Sequence, residues 1–104
     1  MIARIWRGAV KTGDGDAYAD YMNETGVTGY TSTAGNRGVY MLRRDVDDRT
    51  EFLMLSFWDS LDSVKAFAGD DPTRAVFYPA DDQYLVDRDL DVTHFTVHKH
   101  AGGD

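Results

Sequence analysis

Apolar residues are densest between Glu51 and Gly69, in the stretch EFLMLSFWDSLDSVKAFAG. Side chains alternate across a strand, so over Phe52–Trp58 one face carries Phe52, Met54, Ser56 and Trp58. The other carries Leu53, Leu55 and Phe57. A strand apolar on both faces must be covered on both. A helix follows with almost no loop. Asp59 or Ser60 is placed to cap it, and Asp62 lies in the first turn, where a carboxylate suits the helix dipole. Leu61, Val64, Phe67 and Ala68 make one apolar stripe, and Gly69 is placed to end it. One helical layer covers only one face of such a strand.

The rest of the chain supplies partners. Ile2–Val10 alternates Ile2, Arg4 and Trp6 against Ala3, Ile5 and Arg7, which predicts a first strand. Lys11–Gly15 reads as a turn, and Asp14 or Asp16 caps a helix to about Thr25, with Tyr18, Tyr21, Met22 and Thr25 as its stripe and Gly26 after its end. Val27–Arg37 reads as a polar loop and Gly38–Arg44 as a second strand, close enough to Phe52–Trp58 to form a hairpin. After the second helix, Thr73–Tyr78 suggests one or two helical turns, and Pro79–Asp82 reads as a turn. Tyr84–Val86 is a short apolar anchor, and Leu90–His98 is the last strand.

The order strand–helix–strand, twice, predicts an α+β, ferredoxin-like (βαββαβ) fold as one domain over residues 1–104, a four-stranded antiparallel sheet with both helices on one face. Leu53, Leu55 and Phe57 then lie on an open face. An apolar patch of that size calls for a cover, and a second copy packed sheet to sheet is the simplest one. A homodimer is expected.

Charge and composition narrow the function classes. The net charge of −7 opposes a nucleic-acid surface, which needs clustered Lys and Arg. Sixteen Asp stand against two Glu, a bias that fits adaptation to high salt or simple genomic composition. Without cysteine there is no disulfide, thiolate nucleophile or zinc–thiolate site. No segment approaches the roughly 18 apolar residues of a membrane span, and no signal peptide is apparent, so a cytoplasmic protein is expected.

The segments ARIWRG, GNRGVYMLRR, EFLMLSFWDSLDSVKAFAG and DDPTRAVFYPADDQYL together resemble the antibiotic biosynthesis monooxygenase family of the dimeric α+β barrel superfamily. The resemblance spans nearly the whole chain. It implies a barrel-like homodimer and a cofactor-free oxygenase of anthrone- or quinol-like substrates, in which Asn, Trp and Tyr side chains stabilise a substrate anion. Carried over by position, the Trp falls on Trp58, the Asn on Met54 and the Tyr on Val64. Haem-degrading members instead imply an Asn, a Trp and a His. Their positions hold Trp6 or Arg7, Phe67, and Phe77 or Tyr78, and no His precedes His94. No cofactor is expected.

Six residues are the candidates for chemistry. Trp58, Trp6, Met54 and Tyr78 would bind a small aromatic ligand. Arg4, if it faces the helices, would partner an anion or phenolate, because guanidinium keeps its charge. His94, mid-strand, is the histidine best placed as a general base. His94, His98 and His100 share a strand face, but no carboxylate of suitable spacing joins them, and no metal site is expected. The alternative function is a non-catalytic barrel that binds a small ligand or serves only as a dimeric module.

Overall fold

The computed structural model describes residues 1–103. The chain runs β1 (Ile2–Lys11), a short 3-10 turn (Thr12–Asp14), α1 (Gly15–Met22), a π-helical turn (Asn23–Val27), α2 (Thr28–Thr31), β2 (Asn36–Val46) and β3 (Arg49–Trp58). It continues with α3 (Leu61–Ala68), α4 (Asp81–Tyr84), β4 (Leu85–Arg88) and β5 (Thr93–Thr96). All strand pairs are antiparallel, in the order β2-β3-β1-β4, with β5 also on β1. The α+β, ferredoxin-like fold expected from the sequence is the fold observed, and the sheet is open, not closed into a barrel.

The fourth row of the sheet is two strands. β4 pairs with Gly8–Val10 of β1, and β5 pairs with Ile2–Ile5. Between them the chain leaves the sheet, turning Val92 into the core and leaving Leu90 in solvent. The predicted strand Leu90–His98 is therefore shortened to Thr93–Thr96, and the apolar anchor at Tyr84–Val86 runs into β4.

β3 sits centrally, and its faces separate as the alternation requires. Phe52, Met54, Ser56 and Trp58 are fully buried under the helices, while Leu53, Leu55 and Phe57 are half-buried on the open side. Tyr18 of α1 packs edge-on against Phe52, and Phe67 of α3 lies 5.7 Å from the Trp58 ring. Ser60 caps α3 by accepting the Ser63 N–H, and Gly69 closes it with positive φ.

Two expectations are corrected. The first helix does not stop near Thr25. Backbone geometry stays helical through Gly26 and on to Thr31, because Tyr18, Met22, Gly26 and Tyr30 recur every four residues and all are buried. The predicted loop Val27–Arg37 shrinks to Ser32–Gly35. Thr73–Tyr78 forms no helical turn. It runs as an irregular segment tied to the chain after β4, with Ala75 N donating to Leu90 O and Val92 N to Thr73 O.

Candidate functional site

Strand register decides which sequence candidates can meet. Arg4 lies opposite Ser56 on one side and His94 on the other, and Trp6 lies opposite Met54. Trp58 is opposite Ile2 at the end of the same face. Arg4, Trp6, Met54, Trp58 and His94 thus all project toward the helices. Tyr78 reaches the same space from the irregular segment after α3. The strand pattern left open which face of β1 points inward. Arg4 and Trp6 do, and Arg7 points out, where it pairs with Glu51 at 2.6 Å and Asp87 at 3.1 Å.

Arg4 is 1% exposed. One terminal nitrogen donates to the Tyr30 hydroxyl at 3.3 Å and the other to the Arg74 carbonyl at 3.2 Å. The rings of Tyr30 and Phe67 lie 5.9 and 5.5 Å from its guanidinium carbon, within cation–π range. Nε has no partner, and among the described residues no carboxylate pairs with this side chain. Burial lowers its pKa from the usual value, but a guanidinium remains charged at any physiological pH. Beside it is a cavity of about 10 Å³, reached by Trp6, Tyr30, Phe67, Val76 and Tyr78, with room for about one water molecule.

The surrounding groups are neutral or internally satisfied. Tyr30 and Tyr78 have raised phenol pKa values, each mainly through burial, so both stay protonated at neutral pH. Asp81 is a buried carboxylate, but it accepts the Tyr18 hydroxyl at 2.9 Å and the Tyr78 N–H at 2.6 Å. His94 is half-buried with Nε2 buried and unpartnered, and burial, then the neighbouring Arg4, lower its pKa below the ordinary histidine value. The imidazole is therefore neutral at neutral pH, since both influences disfavour its charged form. Two charged side chains without a salt-bridge partner line the cavity, among the described residues: Arg4, and the Asp81 carboxylate held by its two hydrogen bonds.

Trp58 and Met54 stand behind this cavity, not on its wall. Trp58 is fully buried, its indole N–H donates to Ser56 Oγ at 2.9 Å, and it touches the site through the Tyr30 and Phe67 rings. Met54 is packed beside Trp6 in the neighbouring row. Trp6 donates to the Asp89 carbonyl at 2.9 Å, and its ring lies over Gly8, where any Cβ would collide with the indole. His98 and His100 lie past the end of β5, and among the described residues no three His, Asp or Glu side chains converge as a metal would require. Tyr30 was not singled out from the sequence because its segment reads as a loop; the four-residue spacing from Tyr18 through Met22 and Gly26 was the signal.

In chemical terms, the cavity wall offers a fixed cation, a hydrogen-bonded carboxylate and two protonated phenols among aromatic rings, while His94 lies one strand over from Arg4 and is not on that wall.

No curated protein matches the chain. In fold it is similar to a Bacillus cereus protein provisionally assigned as an antibiotic biosynthesis monooxygenase, with 14% identity, 98% and 97% of the two chains covered, and a TM-score of 0.69. It is similar to the haem-degrader MhuD of Mycobacterium tuberculosis, solved with two haems in its active site, at 17% identity, 98% and 100% coverage and a TM-score of 0.66. An uncharacterised NIPSNAP domain protein of Burkholderia xenovorans matches at 15% identity, 99% and 100% coverage and a TM-score of 0.60. The family model described as antibiotic biosynthesis monooxygenase matches residues 1–77, so the segment that carries β1, β3 and the Arg4 site places this chain in the antibiotic biosynthesis monooxygenase family.

Proposed function

We propose that the protein is a cytoplasmic, homodimeric monooxygenase that oxidises a small aromatic or polyketide-like substrate without metal or flavin, in the space between sheet and helices. The observation that carries this reading is Arg4, a buried guanidinium that forms no salt bridge among the described residues, set in an aromatic shell beside the cavity. Leaving a charge unpaired in a core is costly unless something else uses it. Trp6 and Tyr78 would contact the ligand, and Trp58 and Met54 would shape the floor behind them. His94 would act on the proton. Seating a ring requires the cavity, which has room for about one water, to widen.

Haem does not fit this chain. The positions that hold the Asn, Trp and His of haem-degrading members carry Trp6 or Arg7, Phe67, and Phe77 or Tyr78. No step is assigned to it.

The open sheet face supports the homodimer. Tyr40, Leu55 and Ile5 lie side by side across three strands, Leu42 and Leu53 form the next row, and Phe57, Ala3 and Phe95 the one before. Tyr40 and Phe95 are each more than half exposed in the single chain. A two-fold pairing would bury this face against itself.

Oxygen consumption with a panel of anthrones and quinols, in chelator-treated protein, tests the assignment. Uptake that falls in W58F is the expected result, since that indole backs the two rings beside Arg4. No uptake with any member of the panel overturns the oxygenase reading. The small size of the cavity favours a second reading, a dimeric module without catalysis, which would neither consume oxygen nor bind these compounds.

A further inference from the structure

We propose that Tyr78 is a plug: its ring fills the place that an aromatic ligand would take between sheet and helices, and Asp81 and Gly29 are the positioning residues that seat it there. This rests on the reading above that this space receives an aromatic ligand, and it names what must leave before one enters.

The surroundings of the ring carry the first half of the argument. Tyr78 lines the same cavity as Arg4, Trp6, Tyr30 and Phe67, and with it in place the free space is about one water. The aromatic and cationic groups that would hold a ligand ring thus already face a phenol of the chain itself. Its hydroxyl reaches Gly29 of α2, where a Cβ would stand 2.5 Å from that oxygen and 3.1 Å from the Phe67 ring. Glycine is a poor choice within a helix. Here its missing side chain leaves the notch that the Tyr78 hydroxyl enters.

The second half is how the residue is held. Tyr78 is clasped by its backbone: its N–H donates to one Asp81 oxygen at 2.6 Å, and its carbonyl accepts the Asp81 N–H at 3.0 Å. The other Asp81 oxygen accepts the Tyr18 hydroxyl at 2.9 Å, and the Ala80 N–H donates to the Tyr21 hydroxyl at 2.9 Å. Two tyrosines of α1 therefore anchor the turn that carries the plug. Asp81 is 2% exposed and forms no salt bridge among the described residues. A carboxylate buried for hydrogen bonds alone is costly, which fits one that fixes the position of a single residue. The Tyr78 hydroxyl, by contrast, makes no hydrogen bond among the described residues, so a competing ring displaces it without breaking one.

Fluorescence titration of the full chain with 2-naphthol, a neutral phenol, tests the plug. Y78A, which vacates the place, is expected to bind at least about tenfold tighter than wild type. D81N loosens the clasp and G29A fills the notch, and each is expected to bind about three- to tenfold tighter, roughly the worth of one hydrogen bond. Y78F keeps ring and clasp and is expected to stay within about twofold of wild type. In wild-type protein grown on 3-fluorotyrosine, the fluorine resonance that Y78F removes is expected to move toward its solvent-exposed position as naphthol saturates. Wild type and Y78A binding equally well, or a Tyr78 resonance that stays in place while naphthol binds, overturns the plug and leaves the aromatic site standing. Binding to neither wild type nor Y78A removes the aromatic site as well. If Y78A fails to fold by circular dichroism, D81N, G29A and the fluorine shift decide. D81N and G29A that both bind as wild type does overturn the roles given to Asp81 and Gly29.

Discussion

Arg4 and Arg7 stand three residues apart on one strand and meet opposite environments. Arg7 lies on the open side, half-exposed, between Glu51 and Asp87. Arg4 lies under the helices with two neutral acceptors. Both were legible in the sequence as an alternating pair, but strand alternation fixes only that they oppose each other. Which one is buried depends on where Trp6 and Gly8 pack, a tertiary matter. Trp58 shows the same limit. Its position was evident from the motif, whereas its bond to Ser56 Oγ depends on a side chain two residues earlier on its own face. S56A is expected to cost about 1–3 kcal/mol, because it leaves a fully buried indole N–H unpaired; chemical denaturation measures it, and a neutral result would mean the indole finds another acceptor. His94 gives a pH signature. Its folded pKa lies below the unfolded value of about 6.5, so the unfolded chain takes up the proton first. The stability contributed by the neutral ring is in place above about pH 6.5 and is lost as pH falls below it. Denaturation at about pH 7.5 and about pH 5.5 is expected to show a larger loss in wild type than in H94Q. Identical losses would place His94 in a solvent-like environment.

At the scale of elements, long periodic segments were readable and their ends were not. β1, β3 and α3 follow directly from alternation, capping and stripe, and they hold most of the candidate site. The first helix was cut short at Gly26 because glycine is a common terminator, yet here Gly26 is buried and continues the stripe to Tyr30. Reading past it would have found the residue whose hydroxyl accepts from Arg4. The fourth row of the sheet was read as one strand; the break that creates β4 and β5 comes from Val92 turning into the core, which no local pattern announces. α3 offers a clean local test. S60A removes the side chain that accepts the Ser63 N–H, and is expected to lower stability by about 1 kcal/mol with no change in fold, as chemical denaturation would measure.

At the scale of the molecule, the two faces of the sheet divide the work. One face, under the helices, holds the buried charge and its aromatic shell. The other presents Tyr40, Leu42, Leu53, Leu55, Phe57 and Phe95. Sedimentation velocity at micromolar concentration is expected to give a dimer for the wild type and a folded monomer for L55D, whose carboxylate would lie in the centre of the pairing. A monomeric wild type would contradict the pairing of sheet faces. A core that keeps an uncompensated guanidinium also gives up stability. Dehydration of the ion costs several kcal/mol, and two long hydrogen bonds to neutral oxygens offset only part of it. The most direct measurement is the thermal midpoint of R4M against wild type, without ligand. If Arg4 is held there for an anion, R4M melts higher, by about 4–8 °C for each kcal/mol gained. If R4M melts lower by a similar margin, Arg4 is part of the scaffold, and the buried charge is not a binding site.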